Sequence, residues 1–132
     1  MSMYTLYKLR ALQKYFKYCG NTFNISYRLF ITKIKKESEL DNLVNKGKLT
    51  VVQYGAEWCG PCRNLKLLLN NLSKEYPNIN FAYVDIDELP ALAESLGISS
   101  IPLVRIVKDK NLVDSIIGCN IESIKDCIDK QV

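Results

Sequence analysis

The stretch Thr50-Val51-Val52-Gln53-Tyr54-Gly55-Ala56-Glu57-Trp58-Cys59-Gly60-Pro61-Cys62 decides the reading of this chain. Its first five residues make a nearly continuous apolar run, typical of a strand covered on both faces. Beyond Cys59, Leu65, Leu68, Leu69, Leu72 and Tyr76 recur at helical spacing until Pro77 stops them. A Cys-x-x-Cys pair therefore stands where a buried strand hands over to an amphipathic helix. Residues three apart on a helix lie about 5–6 Å from one another, within the range a disulfide spans. Unpaired N–H groups and the helix dipole favour an anion at Cys59, so its thiolate is stabilised. Cys62, within the first turn, is more covered and stays a thiol until needed. Pro61 is tolerated because the first helical amides lack partners anyway. The arrangement divides the labour: Cys59 is the nucleophile that attacks a disulfide, and Cys62 resolves the mixed disulfide. A lone Cys-x-x-Cys would be better read as a zinc knuckle or two unrelated thiols. The strand before it and the helix after it favour redox use here.

Working outward, Leu29 to Ile34 reads as a short strand, and Ser38 as the cap of a helix with Asp41 three residues on. Leu40, Leu43 and Val44 give that helix its buried stripe before Gly47 ends it. Asn80 to Val84 is the next buried strand, and Asp87 is the expected cap of a short helix carrying Leu89, Leu92, Ala93 and Leu96. Leu103 to Val107 and Asp114 to Ile117 are two strands joined by the polar turn Lys108-Asp109-Lys110-Asn111. Ile121, Ile124 and Ile128 mark a last helix. The order β-α-β-α-β-α-β-β-α predicts an α/β fold, a central mixed β-sheet flanked by helices, with parallel pairs early and a hairpin late.

The chain has 132 residues, room for one domain. It has five cysteines and no histidine, which removes Cys-His catalysis, Ser-His triads and mixed Cys/His zinc sites together. An all-cysteine zinc site would need a second close pair, and Cys119 and Cys127 lack that spacing, so no metal is expected. Cys119 reads either as loop filler or as a regulatory thiol near the rim of the dithiol, and Cys127 as filler. Asp85, Asp87 and Glu88 resemble a metal-binding run only superficially. Residues 1–36 carry Lys8, Arg10, Lys14, Lys17, Arg28, Lys33, Lys35 and Lys36 with no acid, so beyond Lys36 acids outnumber bases. A body of that balance argues against nucleic-acid binding. Leu6, Leu9, Leu12 and Phe16 share one side of a helical wheel and Arg10, Lys14 and Lys17 another, the form of a mitochondrial transit peptide. The alternatives are an extra helix packed on the domain or a basic tail. No run is long enough for membrane insertion. The expected division is a leader at 1–28 and a domain at 29–132.

The segment from Val51 to Cys62 resembles the active-site segment of the thioredoxins. The likeness continues through Val84-Asp85-Ile86-Asp87 and Gly97-Ile98-Ser99-Ser100-Ile101-Pro102 into Ile117-Gly118, covering nearly everything from about residue 30. With the basic leader, it is nearest to the mitochondrial thioredoxins of fungi. The resemblance implies a thioredoxin fold and a protein-disulfide reductase. It makes Pro102 the family's cis-proline facing the dithiol, and Trp58, Ile101, Pro102 and Gly118 the substrate-docking surface. Gly60-Pro61 matches the reducing members of the superfamily. The resemblance further implies no bound cofactor, with electrons from NADPH through thioredoxin reductase. The implied partners are that reductase and disulfide-containing proteins such as peroxiredoxins. A monomer is expected in the mitochondrial matrix, the cytoplasm being the alternative. One residue departs from the family: Gln53 stands where most thioredoxins carry a buried acid that accepts the proton of the second cysteine, and Tyr83 stands where many bacterial members carry a lysine. Glutamine can hydrogen-bond but takes no proton at neutral pH. Gln53 keeps two alternatives open, a thioredoxin-fold binding subunit and a glutathione-linked thiol transferase.

Overall fold

The computed structural model describes residues 31–132. Nine elements follow in chain order: β1 (Thr32–Lys33), α1 (Glu37–Val44), β2 (Thr50–Gly55), α2 (Gly60–Glu75), β3 (Asn80–Asp85), α3 (Pro90–Ser95), β4 (Leu103–Lys108), β5 (Asn111–Ile117) and α4 (Ile121–Gln131). This is the expected order, in a thioredoxin fold. The sheet runs β1-β3-β2-β4-β5. β1, β3 and β2 are mutually parallel, whereas β4 is antiparallel to both β2 and β5.

Alternation along β2 sorts its side chains between two cores. Val51 joins Phe81, Val104 and Ile106 against Leu65, Leu69 and Leu72 of α2 and Ile124 and Ile128 of α4. Val52 and Tyr54 face the other way, joining Ile34, Ala82, Val84 and Leu103 against Leu40 of α1 and Leu92 of α3. The apolar stripes at helical spacing are thus the faces that clamp the sheet from both sides. Central strand β2 is buried along its whole length, which is why it reads as a continuous apolar run.

Three local expectations are corrected. The first strand is shorter than the Leu29–Ile34 span. Thr32 and Lys33 pair with Ala82 and Tyr83, and Ile34 N–H adds one bond to the Tyr83 carbonyl, while Leu29 and Phe30, like the leader at 1–28, lie outside the described residues. Ser38 does not cap α1: the cap position is Lys36, and the Glu39 carboxylate instead accepts the Lys35 amide at 2.8 Å. Acids in the first turn, Glu37 and Glu39, suit the positive helix end without a hydroxyl cap. Nor does Asp87 cap α3, whose N-cap is Leu89 with no side-chain bond. Asp85 does the equivalent work one turn earlier, accepting the amides of Asp87 at 2.8 Å and Glu88 at 3.4 Å. Among the described residues no helix is long and apolar enough to cross a membrane.

Candidate active site

Strand β2 ends at Gly55 and α2 begins at Gly60, so the loop between them delivers Cys59 to the N-cap of α2. Its Sγ accepts the Cys62 amide at 3.2 Å, filling one of the unpaired N–H groups of the helix start. Pro61 occupies the first turn, where its missing donor is no loss. Cys59 and Cys62 form a disulfide with a Cα–Cα distance of 5.2 Å. Cys59 is 6% exposed and Cys62 1%, so solvent reaches the first sulfur more readily. On reduction, the helix end that now donates to Sγ of Cys59 is placed to stabilise a thiolate there.

Around this pair the chain assembles groups distant in sequence. The Ile101–Pro102 peptide is cis, and Ile101 packs against the cluster of Ala56, Cys59 and Cys62. The Pro102 carbonyl accepts the Gly118 amide at 2.9 Å, tying the end of β5 to the proline loop. Gly118 has φ +86 and open space where a Cβ would stand. A side chain there would be strained in the left-handed region. Trp58 is 69% exposed, and its Nε1 donates to Asp87 Oδ2 at 2.7 Å. Asp87 therefore orients the indole. Ile117, 68% exposed, extends the apolar rim.

Gln53 is 1% exposed on the α2 side of β2, and its Nε2 donates to the Cys62 carbonyl at 2.8 Å. It sits against the second cysteine. Tyr83 pairs with it in the β2–β3 ladder and is buried, with Lys66 Nζ 4.2 Å from its ring centroid. Burial, and then the Asp85 carboxylate, pushes the Tyr83 phenol up to about 12.

The sequence reading assigned no role to Gly55. A Cβ at that position would lie 3.1 Å from Cys62 Cβ, 3.2 Å from Cys62 Sγ and 3.3 Å from Tyr83 Cε2. A side chain on β2 at this point would crowd the second cysteine. Cys119 is exposed at the rim, its Sγ donating to the Pro61 carbonyl at 3.4 Å and accepting from Asn64 at 3.8 Å. Cys127 packs against the α2–α4 core, and burial pushes its thiol up. The carboxylates of Glu57, Asp85 and Glu88 gather within 4.8 Å. Asp85 already serves two amides, and Glu88 pairs with Lys33 at 2.8 Å.

Residues 31–130 match the family model described as thioredoxin. The chain belongs to the thioredoxin family. Thioredoxin-1 of Saccharomyces cerevisiae is 34% identical over 98 residues, covering 74% of this chain and 95% of its own. The crystal structure of oxidised mitochondrial thioredoxin 3 from the same yeast matches with a TM-score of 0.71 and 32% identity, over 76% of this chain and 94% of that one. A chain from a study of thiol resolution in yeast mitochondrial 1-Cys peroxiredoxin through glutathione/thioredoxin systems matches with a TM-score of 0.71 and 31% identity, over 76% and 94%. With the Cys59–Cys62 pair at disulfide distance, this member of the family is a thiol-disulfide oxidoreductase.

Proposed function

We propose that the chain is a protein-disulfide reductase in which Cys59 attacks a substrate disulfide and Cys62 resolves the mixed disulfide. In the first step the Cys59 thiolate displaces one substrate sulfur as a thiolate. In the second, Cys62 gives up its proton, its sulfur attacks Cys59 Sγ, and the other substrate sulfur leaves reduced. The substrate gains two electrons and the protein becomes the Cys59–Cys62 disulfide. The observation that carries this reading is the asymmetry of the pair: Cys59 caps α2 and is 6% exposed, while Cys62, 1% exposed, lies behind it next to Gly55 and Gln53. Trp58, Ile101, Pro102 and Gly118 form the docking surface, and Gly60 and Pro61 shape the turn between the cysteines. The disulfide is returned to the dithiol by NADPH through thioredoxin reductase, with no cofactor bound to this chain.

Peroxiredoxins are the proposed partners and the mitochondrial matrix the proposed site of action, with residues 1–28 as the targeting leader. Support comes from the acid-free basic head of the chain and from the likeness to a mitochondrial thioredoxin of yeast.

Reduction of insulin disulfides, driven by NADPH and thioredoxin reductase, tests the activity. Turnover should vanish in Cys59→Ser, and Cys62→Ser should accumulate mixed disulfides. Equal alkylation rates for Cys59 and Cys62 in the reduced protein would overturn the division of labour. Turnover with glutathione but not with the reductase would favour the thiol-transferase reading.

A further inference from the structure

We propose that Gln53 is a positioning residue whose amide oxygen is matched to the reduced dithiol: Oε1 accepts the hydrogen bond of the Cys62 thiol, directly or across one water, and tilts the disulfide–dithiol equilibrium toward the dithiol. The proposal rests on the reading of Cys59 and Cys62 as the redox pair.

The orientation of the amide is fixed by its partner. The Cys62 carbonyl requires a donor, so Nε2 faces it, at 2.8 Å. Oε1 shares a carbon with Nε2 and so lies beside the same residue. It is buried, and it meets no donor among the described residues. A buried acceptor left unfilled is costly, and native structures seldom keep one without a reason. The groups packed around it narrow the reason. Gly55 is next on the same face of β2, and a Cβ built on it would meet Cys62 Cβ and Sγ and the Tyr83 ring, over which Lys66 lies. Nothing in that set is a carboxylate. The amide cannot take the proton of Cys62, but it can hold it.

The oxidised pair offers no such proton, because disulfide sulfurs carry none. Reduction breaks the S–S bond with two electrons from a dithiol reductant, which closes to its own disulfide. The two thiol protons of that reductant leave for the two protein sulfurs. The proton on Cys62 Sγ is a new donor beside Oε1. The reduced state thus satisfies an acceptor that the oxidised state leaves bare, and the equilibrium moves toward reduction by the worth of that bond.

The test titrates the full chain against reduced and oxidised dithiothreitol. Gln53→Met keeps the length and bulk of the side chain and removes the Oε1 acceptor together with the Nε2 donor. Its equilibrium constant for reduction should fall about tenfold, a potential about 30 mV more negative for a two-electron couple. A merely structural role would weaken both states alike and leave this constant where it was, so a folded Gln53→Met with an unchanged constant overturns the proposal. A second measurement keeps residue 53 native. With Cys59, Cys19, Cys119 and Cys127 all replaced by Ser, the infrared S–H stretch of Cys62 should lie below that of an unbonded thiol, and an unshifted band overturns the proposal even if Gln53→Met fails to fold. A chain that exchanges no electrons with dithiothreitol would overturn the dithiol reading itself.

Discussion

Gly55 and Tyr83 set the packing behind Cys62, and each yields a test. At Gly55 a methyl group would press on Cys62 and on the Tyr83 ring at once, so both would have to give way by a few tenths of an ångström. Gly55→Ala should cost about 1–3 kcal/mol, the usual range for overpacking. It should also slow resolution of the mixed disulfide by displacing Cys62. Urea melts and single-turnover reduction read the two effects. Tyr83 gives a pH signature. Its phenol is held up to about 12, whereas a tyrosine in the unfolded chain titrates near 10. Below about 10 both states keep the proton and stability is unaffected. Between about 10 and 12 the unfolded chain releases it while the folded chain holds it, so stability falls as pH rises, then levels off. The difference between wild type and Tyr83→Phe in urea melts should open across that window and be flat below it.

At the scale of elements, the hairpin between β4 and β5 carries avoidable strain. Asp109 and Lys110 form its two-residue turn, with φ of 50 and 67. Two left-handed residues in succession mark the turn type that suits the strands' twist, and it favours Gly at the second position. Lys110→Gly should raise stability by about 1 kcal/mol, because a Cβ in that region is penalised by roughly that amount. A change in urea midpoint without a change in slope would show it. The sequence located this turn from its polar residues alone, and it located the four helices from their stripes. It misplaced two helix starts, at Ser38 and Asp87. Capping competes among neighbouring polar residues: Glu39 reaches the Lys35 amide, Asp85 takes two amides, and Asp87 is drawn to Trp58.

At the scale of the molecule, the described residues 31–132 contain a five-stranded sheet, helices on both its faces and the groups named around the dithiol. A chain beginning at Leu29 should therefore unfold at the same urea concentration as the full chain and reduce insulin equally well. In a mitochondrial import assay the full chain should enter and be shortened, and the shorter one should stay outside. A loss of several kcal/mol on removing residues 1–28, with import unaltered, would make that segment part of the fold.

The sequence by itself determined the element order and the Cys59/Cys62 pair, and its resemblance to a family implied a cis proline at Pro102 and Gln53 behind the second cysteine. These are written in local patterns: periods of two and of 3.6, a three-residue cysteine spacing, a motif of a dozen residues. Only the tertiary structure decided that Gly55 makes room for Cys62, that Asp87 holds Trp58 and that Cys119 bonds the Pro61 carbonyl. Those contacts join residues from separate elements, as far apart as 29 positions for Trp58 and Asp87 and 58 for Pro61 and Cys119. No local pattern encodes them, because each depends on how two faces of one sheet are filled at the same time.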